Sequence, residues 1–448
     1  MDFSTAGYEA LIANIFQRFP SVQRDGFSAG AYKPGLDRMQ AFDRELGYPS
    51  RQLKSIHVAG TNGKGSVSNM LASAFCSCGY KTGLFTSPHI LDFRERMRID
   101  GEMIPKEYVS DFLQQWLPWI SANNLSFFEI TTGLAFKWFA DSKVDMAVIE
   151  VGLGGRLDST NILTPVLSVV TTIGLDHCDL LGDSLAKIAA EKAGIFKTGV
   201  PALVGETQEE TAPVFTEKAW MFCPLTFADK VRPSLWEYHA ALLKQMDLQA
   251  PVQAKNLRTV LAAIDLLKPD FEALESGEAV MDGIVHTAER MHFQGRWEKL
   301  SEEPYVLADI GHNAQALAGN FQHLQELVDS GRFSSLIIVY GVMADKDLDA
   351  ILPLMPEEAT YIFTAPQTRR ALPAHELLER FKAFRGDAHP ELAASAGGPI
   401  LLSSREYAYT NVRQAVQMAL QIAHRQEHPL IYIGGSTFVV AEALPLFH

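Results

Sequence analysis

The sequence predicts an α/β protein of two domains: an N-terminal P-loop ATPase domain with a largely parallel sheet, and a smaller C-terminal Rossmann-like α/β domain. Three observations predict it. A strand-like run around Ile56 and Val58 passes through a glycine-rich turn, Gly60-Thr61-Asn62-Gly63-Lys64-Gly65-Ser66, into a segment with Val67, Met70, Leu71, Ala74, Phe75 and Cys78 at helical spacing. Val144 to Val151 is almost continuously apolar, as a strand buried on both faces requires. Beyond a polar stretch at 295–304 a fresh strand–helix alternation begins, which places the domains at 1–297 and 298–448.

The 448 residues exceed what one ordinary core holds, and 47% hydrophobic with 21% charged residues is a globular composition. A net charge of -14 argues against a nucleic-acid partner, because phosphate backbones are bound by basic surfaces. No apolar run is long enough to span a bilayer. Met1-Asp2-Phe3-Ser4 lacks the basic-then-apolar pattern of a secretory signal, so a cytoplasmic, non-membrane protein is expected, with a monomer the plainer oligomeric state. Cys76, Cys78, Cys178 and Cys223 form no zinc spacing and read as reduced thiols in or near the core.

In chain order, Tyr8, Leu11, Ile12 and Phe16 share a helical face, and a second helix is expected from Asp37 to Gly47. The turn at 60–66 is a phosphate cradle: backbone N–H groups and the helix N-terminus point at an anion, and Lys64 adds a full charge. It departs from the usual phosphate-loop pattern, since Gly65 stands where Ser or Thr is required and Ser66 follows one place late. Thr82 to Thr86 reads as a strand ending in Ser87-Pro88-His89. The strand at Val144–Val151 carries Glu150 near its end, either a carboxylate facing water or the Mg²⁺-holding half of a nucleotide site.

Val166 to Ile173 is a further strand, followed by Gly174-Leu175-Asp176-His177. The next helix starts near Asp183 or Ser184 and carries Lys192 on its apolar face. On residues alone that lysine either snorkels outward or is held in the site, where desolvation lowers its pKa. Val200 to Val204 extends the sheet, residues 206–250 are less regular, and a helix is expected to begin at Asn256. Strands at Tyr305–Ile310, Leu336–Tyr340, Tyr361–Thr364 and Leu430–Ile433 build the second domain. Asp309 to Asn313 and Gly434 to Thr437 lie at strand carboxyl ends, where such sheets bind ligands.

Taken together, GTNGKGS at 60–66, TSPH at 86–89, FFE at 127–129, EVGLGGRLDSTN at 150–161, GLDH at 174–177, EKAGI at 191–195 and GRW at 295–297 resemble the folylpolyglutamate synthase and dihydrofolate synthase family, a branch of the Mur ligases. The shifted serine is that family's form of the loop. The resemblance implies an ATP-dependent ligase that phosphorylates the carboxylate of dihydropteroate or a folate and joins it to L-glutamate. It implies that Thr61, Asn62, Gly63, Lys64, Gly65 and Ser66 bind ATP phosphates, and that Asn256, Arg296 and Asp309 hold the nucleotide. It further implies that Ser87, Glu150 and His177 bind one or two Mg²⁺ ions and that Lys192 is carbamylated into a metal bridge.

Lys64, Lys192, His177 and His312 are the catalytic candidates on this resemblance. The pterin side comprises Tyr32, Lys33, Pro34, Phe128, Glu129, Ile130, Thr131, Leu157, Asp158 and Ser159, with Ser436 at the closed site. Ala314 departs from the family, which places proline there. The alternatives are an enzyme acting only on folates, a Mur-type ligase of peptidoglycan precursors, and an ATP-binding regulator without catalysis.

Overall fold

The computed structural model describes residues 5–26, 33–220, 223–385 and 406–447. They fall into two compact units, one within Met1–Leu248 and Val252–Phe293, the other within Gln249–Pro251 and Gln294–His448.

The first unit is built on eight strands among the described residues: β1 (Ser55–Ala59), β2 (Thr82–Phe85), β3 (Met97–Ile99), β4 (Glu102–Met103), β5 (Met146–Glu150), β6 (Leu167–Val170), β7 (Ala202–Val204) and β8 (Leu225–Phe227). Their order is β4-β3-β2-β5-β1-β6-β7-β8, parallel from β2 to β8, with β3 and β4 antiparallel at one edge. Alternation along a strand sends successive side chains to opposite faces. Met146 and Val148 of β5 therefore join one core with Ile56 and Val58, while Ala147 and Ile149 join another with Phe85. The β1 turn thus stands centrally, flanked by the carboxyl ends of β5 and β6.

The helix that follows the turn, Lys64–Ser77, is buried from Gly65 through Phe75, not along one face as its apolar spacing suggested. Its second face is serine-rich and small, so neighbouring helices approach closely. A Cβ on Gly283 would lie 2.6 Å from the Ala74 Cα. The polar groups there bond locally: Asn69 Nδ2 donates to the Gly65 carbonyl at 2.7 Å and the Ser73 hydroxyl to that of Gly283.

Other expectations shift. The helix expected from Asn256 starts at Gln253, placing Asn256 inside its first turn. Residues 206–250 contain the helices Ala212–Trp220 and His239–Gln245 as well as β8. All four cysteines are free, but Cys178 is exposed and the others half-buried.

In the second unit six strands, β9 (Glu298–Glu302), β10 (Tyr305–Asp309), β11 (Ser335–Tyr340), β12 (Ala359–Thr364), β13 (Glu406–Tyr409) and β14 (Pro429–Gly434), take the order β13-β12-β11-β14-β10-β9. All pairs are parallel except β9 with β10. The polar stretch read as a boundary is this antiparallel edge strand; edge position explains its polar composition. Although Ala314 replaces a proline, its helix starts firmly: the Asn313 side chain accepts from the Ala316 N–H at 3.0 Å.

The helix Phe127–Asp141 opens on a capping box. The Ser126 hydroxyl accepts from the Glu129 N–H at 3.2 Å, and the Glu129 carboxylate accepts from the Ser126 N–H at 2.7 Å. Glu129 is 1% exposed and its carboxylate also meets Arg38 Nε at 3.0 Å. Glu129→Ala removes a cap and strands a half-buried guanidinium. A loss of about 2–3 kcal/mol is expected in denaturant unfolding; a change under ~0.5 kcal/mol would contradict this anchoring role.

Candidate active site

The cradle hangs from the sheet rather than from its own side chains. Thr61 N–H donates to the Thr172 carbonyl at 2.7 Å, and the Thr171 hydroxyl donates to the Asn62 carbonyl at 2.6 Å. Thr171 and Thr172 follow directly on β6, so β1 and β6 fix the turn jointly. Gly63, at φ +85°, caps the helix that starts at Lys64. A Cβ there would stand 2.3 Å from Asn256 Oδ1, so this glycine is required by close approach as well as by its backbone angle.

Two lysines converge on one carbonyl. Lys64 Nζ donates to Gly60 O and Thr61 O, each at 3.1 Å, and Lys192 Nζ donates to Gly60 O at 2.8 Å. Lys192 is 4% exposed. Burial, and then the Lys64 charge, pull its pKa down to about 7, against the partial opposition of Asp176 and Asp158. The apolar helix face thus delivers this lysine inward, where a snorkelling reading would have turned it to water.

Lys64, Lys192 and His177 line one small cavity of about 30 Å³ together with Gly60, Thr61, Gly152, Leu153, Gly154 and Asp176. Asp176 was quoted within a motif but given no role by sequence reasoning; its position immediately before His177 was the available signal. Its carboxylate accepts from the His177 N–H at 3.0 Å, and His177 takes a left-handed backbone conformation at φ +52°.

Glu150, 3% exposed, accepts from the Ser87 N–H at 3.1 Å, which joins the ends of β2 and β5. The buried guanidinium of Arg96, lowered to about 10 by desolvation, is held up by the Glu150 charge. Sequence reasoning missed it. Among the described residues no three His, Cys, Asp or Glu side chains cluster as a complete metal cage. A buried strand-end carboxylate with a serine beside it nevertheless suits Mg²⁺, which takes one or two carboxylates together with water and phosphate oxygens.

Ser66 and Asn256 meet through Gln253. Gln253 Nε2 donates to the Ser66 hydroxyl at 3.4 Å, and Asn256 Nδ2 donates to Gln253 Oε1 at 2.8 Å. Asn256 is 1% exposed and its Oδ1 has no hydrogen-bond partner among the described residues.

Of the pterin-side candidates, Tyr32 lies outside the described residues. Lys33 Nζ donates to the carbonyl and side-chain oxygens of Asn124 at 2.8 Å, Arg38 Nη2 donates to the Lys33 carbonyl, and Pro34 is exposed. The Phe128 ring covers Gly152, where an added Cβ would come within 2.4 Å of it. Ile130 and Thr131 are buried, the Thr131 hydroxyl donating to the Phe127 carbonyl at 2.8 Å. Leu157 and Ser159 are half-buried, while Asp158 is 4% exposed and its pKa is raised by burial.

In the second unit, Asp309 ends β10. Its carboxylate accepts from Gly311 N–H at 2.8 Å, Asn320 Nδ2 at 2.7 Å and Trp297 N–H at 3.0 Å. Burial pushes its pKa up, and the Arg296 charge opposes that. His312 Nδ1 lies 3.1 Å from the Ile310 carbonyl, which assigns the proton to that nitrogen in the neutral ring. Ser436, after β14, caps the helix Thr437–Ala443 by accepting from Val439 N–H at 3.2 Å. Asp309 and Gly434 are register partners, so the two strand ends are adjacent.

Comparison with known proteins agrees with this architecture. Residues 58–204 match the Mur ligase middle domain and residues 295–436 the Mur ligase glutamate ligase domain. A dihydrofolate synthase/folylpolyglutamate synthase of Escherichia coli is 33% identical over 371 residues, which span 81% of this chain and 85% of that protein. A probable bifunctional folylpolyglutamate synthase/dihydropteroate synthase of Haloferax volcanii is 32% identical; the match takes in 92% of this chain but 48% of that longer protein.

Among solved structures, Mycobacterium tuberculosis folylpolyglutamate synthase complexed with ADP superposes with a TM-score of 0.81 at 27% identity, over 99% of this chain and 98% of that one. A bifunctional folylpolyglutamate synthase/dihydrofolate synthase with Mn, AMPPNP and L-glutamate bound gives 0.75 at 25% identity, over 98% of each chain.

Gly63→Ala drives a methyl group into the Asn256 amide. ADP affinity measured by titration calorimetry is expected to fall at least about tenfold; unchanged affinity would show that the Gly63–Asn256 approach does not shape the nucleotide site.

Proposed function

The chain belongs to the folylpolyglutamate synthase/dihydrofolate synthase family of Mur ligases, and from that membership we propose that it joins L-glutamate both to dihydropteroate and to folates at the expense of ATP. The observation that carries this reading is the pair of lysines on the Gly60 carbonyl, one of them buried and close to neutral at physiological pH.

In the first step a carboxylate oxygen of the acceptor attacks the γ-phosphorus of ATP, ADP leaves, and an acyl phosphate forms. The cradle N–H groups and Lys64 are assigned to the phosphate oxygens, whose charge they offset. Ser87, Glu150 and His177 are assigned to Mg²⁺, which supplies charge neutralisation at the phosphates when bound. In the second step the amino nitrogen of glutamate attacks the acyl carbon, phosphate leaves, and the nitrogen loses a proton. His312 is assigned to accept that proton. Arg296, Asp309 and Asn256 are assigned to the nucleotide, and Ser436 to the substrate. The pterin is assigned to the wall made by Phe128 and residues 157–159.

Lys192 is proposed to react with CO₂. A neutral amine is the form that adds to CO₂, and a pKa near 7 makes that form abundant where an ordinary lysine would be almost wholly protonated. The new N–C bond forms as the nitrogen loses a proton, and the resulting carbamate carries the negative charge that Lys64 and a metal favour.

Purified protein with Mg²⁺-ATP and L-glutamate is expected to release ADP with either dihydropteroate or tetrahydrofolate. Turnover with tetrahydrofolate alone would mark an enzyme specialised for folates, and silence with both would overturn the ligase reading. Lys192→Ala is expected to lower kcat by about a thousandfold or more while ADP binding stays within a few fold; retention of most activity would remove Lys192 from the machinery.

A further inference from the structure

His57 has no role in the reaction just described. It is fully buried on β1, facing away from the core that receives Ile56 and Val58. Its Nε2 lies 2.8 Å from Thr160 Oγ1. The Thr160 hydroxyl has one proton and donates it to Asp158 Oδ1. Thr160 Oγ1 therefore accepts from His57, and the imidazole carries its hydrogen on Nε2. Two further facts agree with that tautomer. His57 Nδ1 is buried without a partner, as an unprotonated nitrogen can be, and burial holds the ring's pKa at about 3, so it stays neutral.

Asp158 passes the chain of bonds onward. Its Oδ1 also accepts from Thr160 N–H at 3.0 Å, and its Oδ2 accepts from Leu153 N–H at 2.9 Å. Leu153 lies between Gly152 and Gly154, which together form one wall of the cavity that holds Lys64, Lys192 and His177. A glycine-rich wall has little stiffness of its own, so a buried carboxylate held by three hydrogen bonds supplies it.

We propose that His57 is a positioning residue: its Nε2–H, acting through the Thr160 hydroxyl and the Asp158 carboxylate, holds the Gly152–Gly154 wall in the geometry that the acceptor substrate needs. This rests on the ligase reading. The nucleotide cradle is fastened separately, through Thr171 and Thr172, and no bond of the relay passes through it. Although the wall faces the same cavity as Lys64, the cradle keeps bonds of its own, so loss of the relay falls more on the acceptor and the chemical step than on ATP.

Two variants separate this role from simple packing. Glutamine can place an N–H near the imidazole Nε2; leucine fills the space without a donor. His57→Leu is expected to lower kcat/KM for the folate acceptor by about tenfold or more with KM for ATP within about twofold, and His57→Gln to recover most of the loss. An acceptor kcat/KM within about twofold of wild type for His57→Leu, an equal rise in KM for ATP, or glutamine no better than leucine would each overturn the proposal.

Nitrogen-15 NMR of the histidine-labelled full-length protein decides the matter independently of turnover. The His57 ring is expected to stay neutral with its hydrogen on Nε2 from about pH 5 to 8, and to shift in Thr160→Val. Titration near the ordinary value of 6.5, or indifference to Thr160→Val, would refute the relay even in a fully active enzyme.

Discussion

The constraint on which the first unit depends is electrostatic: two lysine side chains donate to the same carbonyl oxygen, that of Gly60, in a place where water is largely excluded. Two full positive charges so close in a medium of low dielectric repel strongly. The arrangement persists because Lys192, the more buried of the two, gives up much of its charge. A site so biased toward positive charge attracts phosphate. It also lets a substantial share of one amine stand in the neutral, nucleophilic form at physiological pH.

Everything nearby serves to bring these groups to one point. The central position of β1 between β5 and β6 puts the cradle, Glu150 and the Thr171–His177 segment at neighbouring strand ends. The helix Leu185–Lys192 then returns its last residue to Gly60. A cradle helix buried on every side cannot shift without disturbing the Gln253–Leu267 and Gly277–Val285 helices, so the backbone N–H groups at its start are held in advance of any ligand. In the second unit the same logic recurs at smaller scale: Asp309, three donors around its carboxylate, fixes the Trp297 and Gly311 backbones at the end of β10.

Much of this was legible in the residues. Apolar runs reported β5, β6, β10, β11, β12 and β14, because a strand buried on both faces admits few polar residues, and β1 showed through Ile56 and Val58 alternating with polar neighbours. The cradle announced itself through three glycines and one lysine. What escaped was polar burial and edge structure. β9 read as a domain boundary because an edge strand paired on one side only tolerates polar residues, and the burial of the serine-rich side of the Lys64–Ser77 helix did not show because only its apolar spacing was legible. Arg96 and His57 carry charge or tautomer states that are set by burial and by Glu150 and Thr160, distant in sequence, so no local pattern assigns them. Lys192 shows the limit most clearly, since its helical phase pointed inward while its residue type argued for water.

The most direct measurement is the protonation of the Lys192 side chain itself. In nitrogen-15 lysine-labelled protein kept free of CO₂, with Lys192→Arg identifying the signal, the amine should lose its proton with a midpoint near pH 7: charged below, neutral above. A midpoint at the ordinary lysine value of 10.5 would mean that burial and Lys64 do not act on this amine as described, and the account of the site built on it would fail.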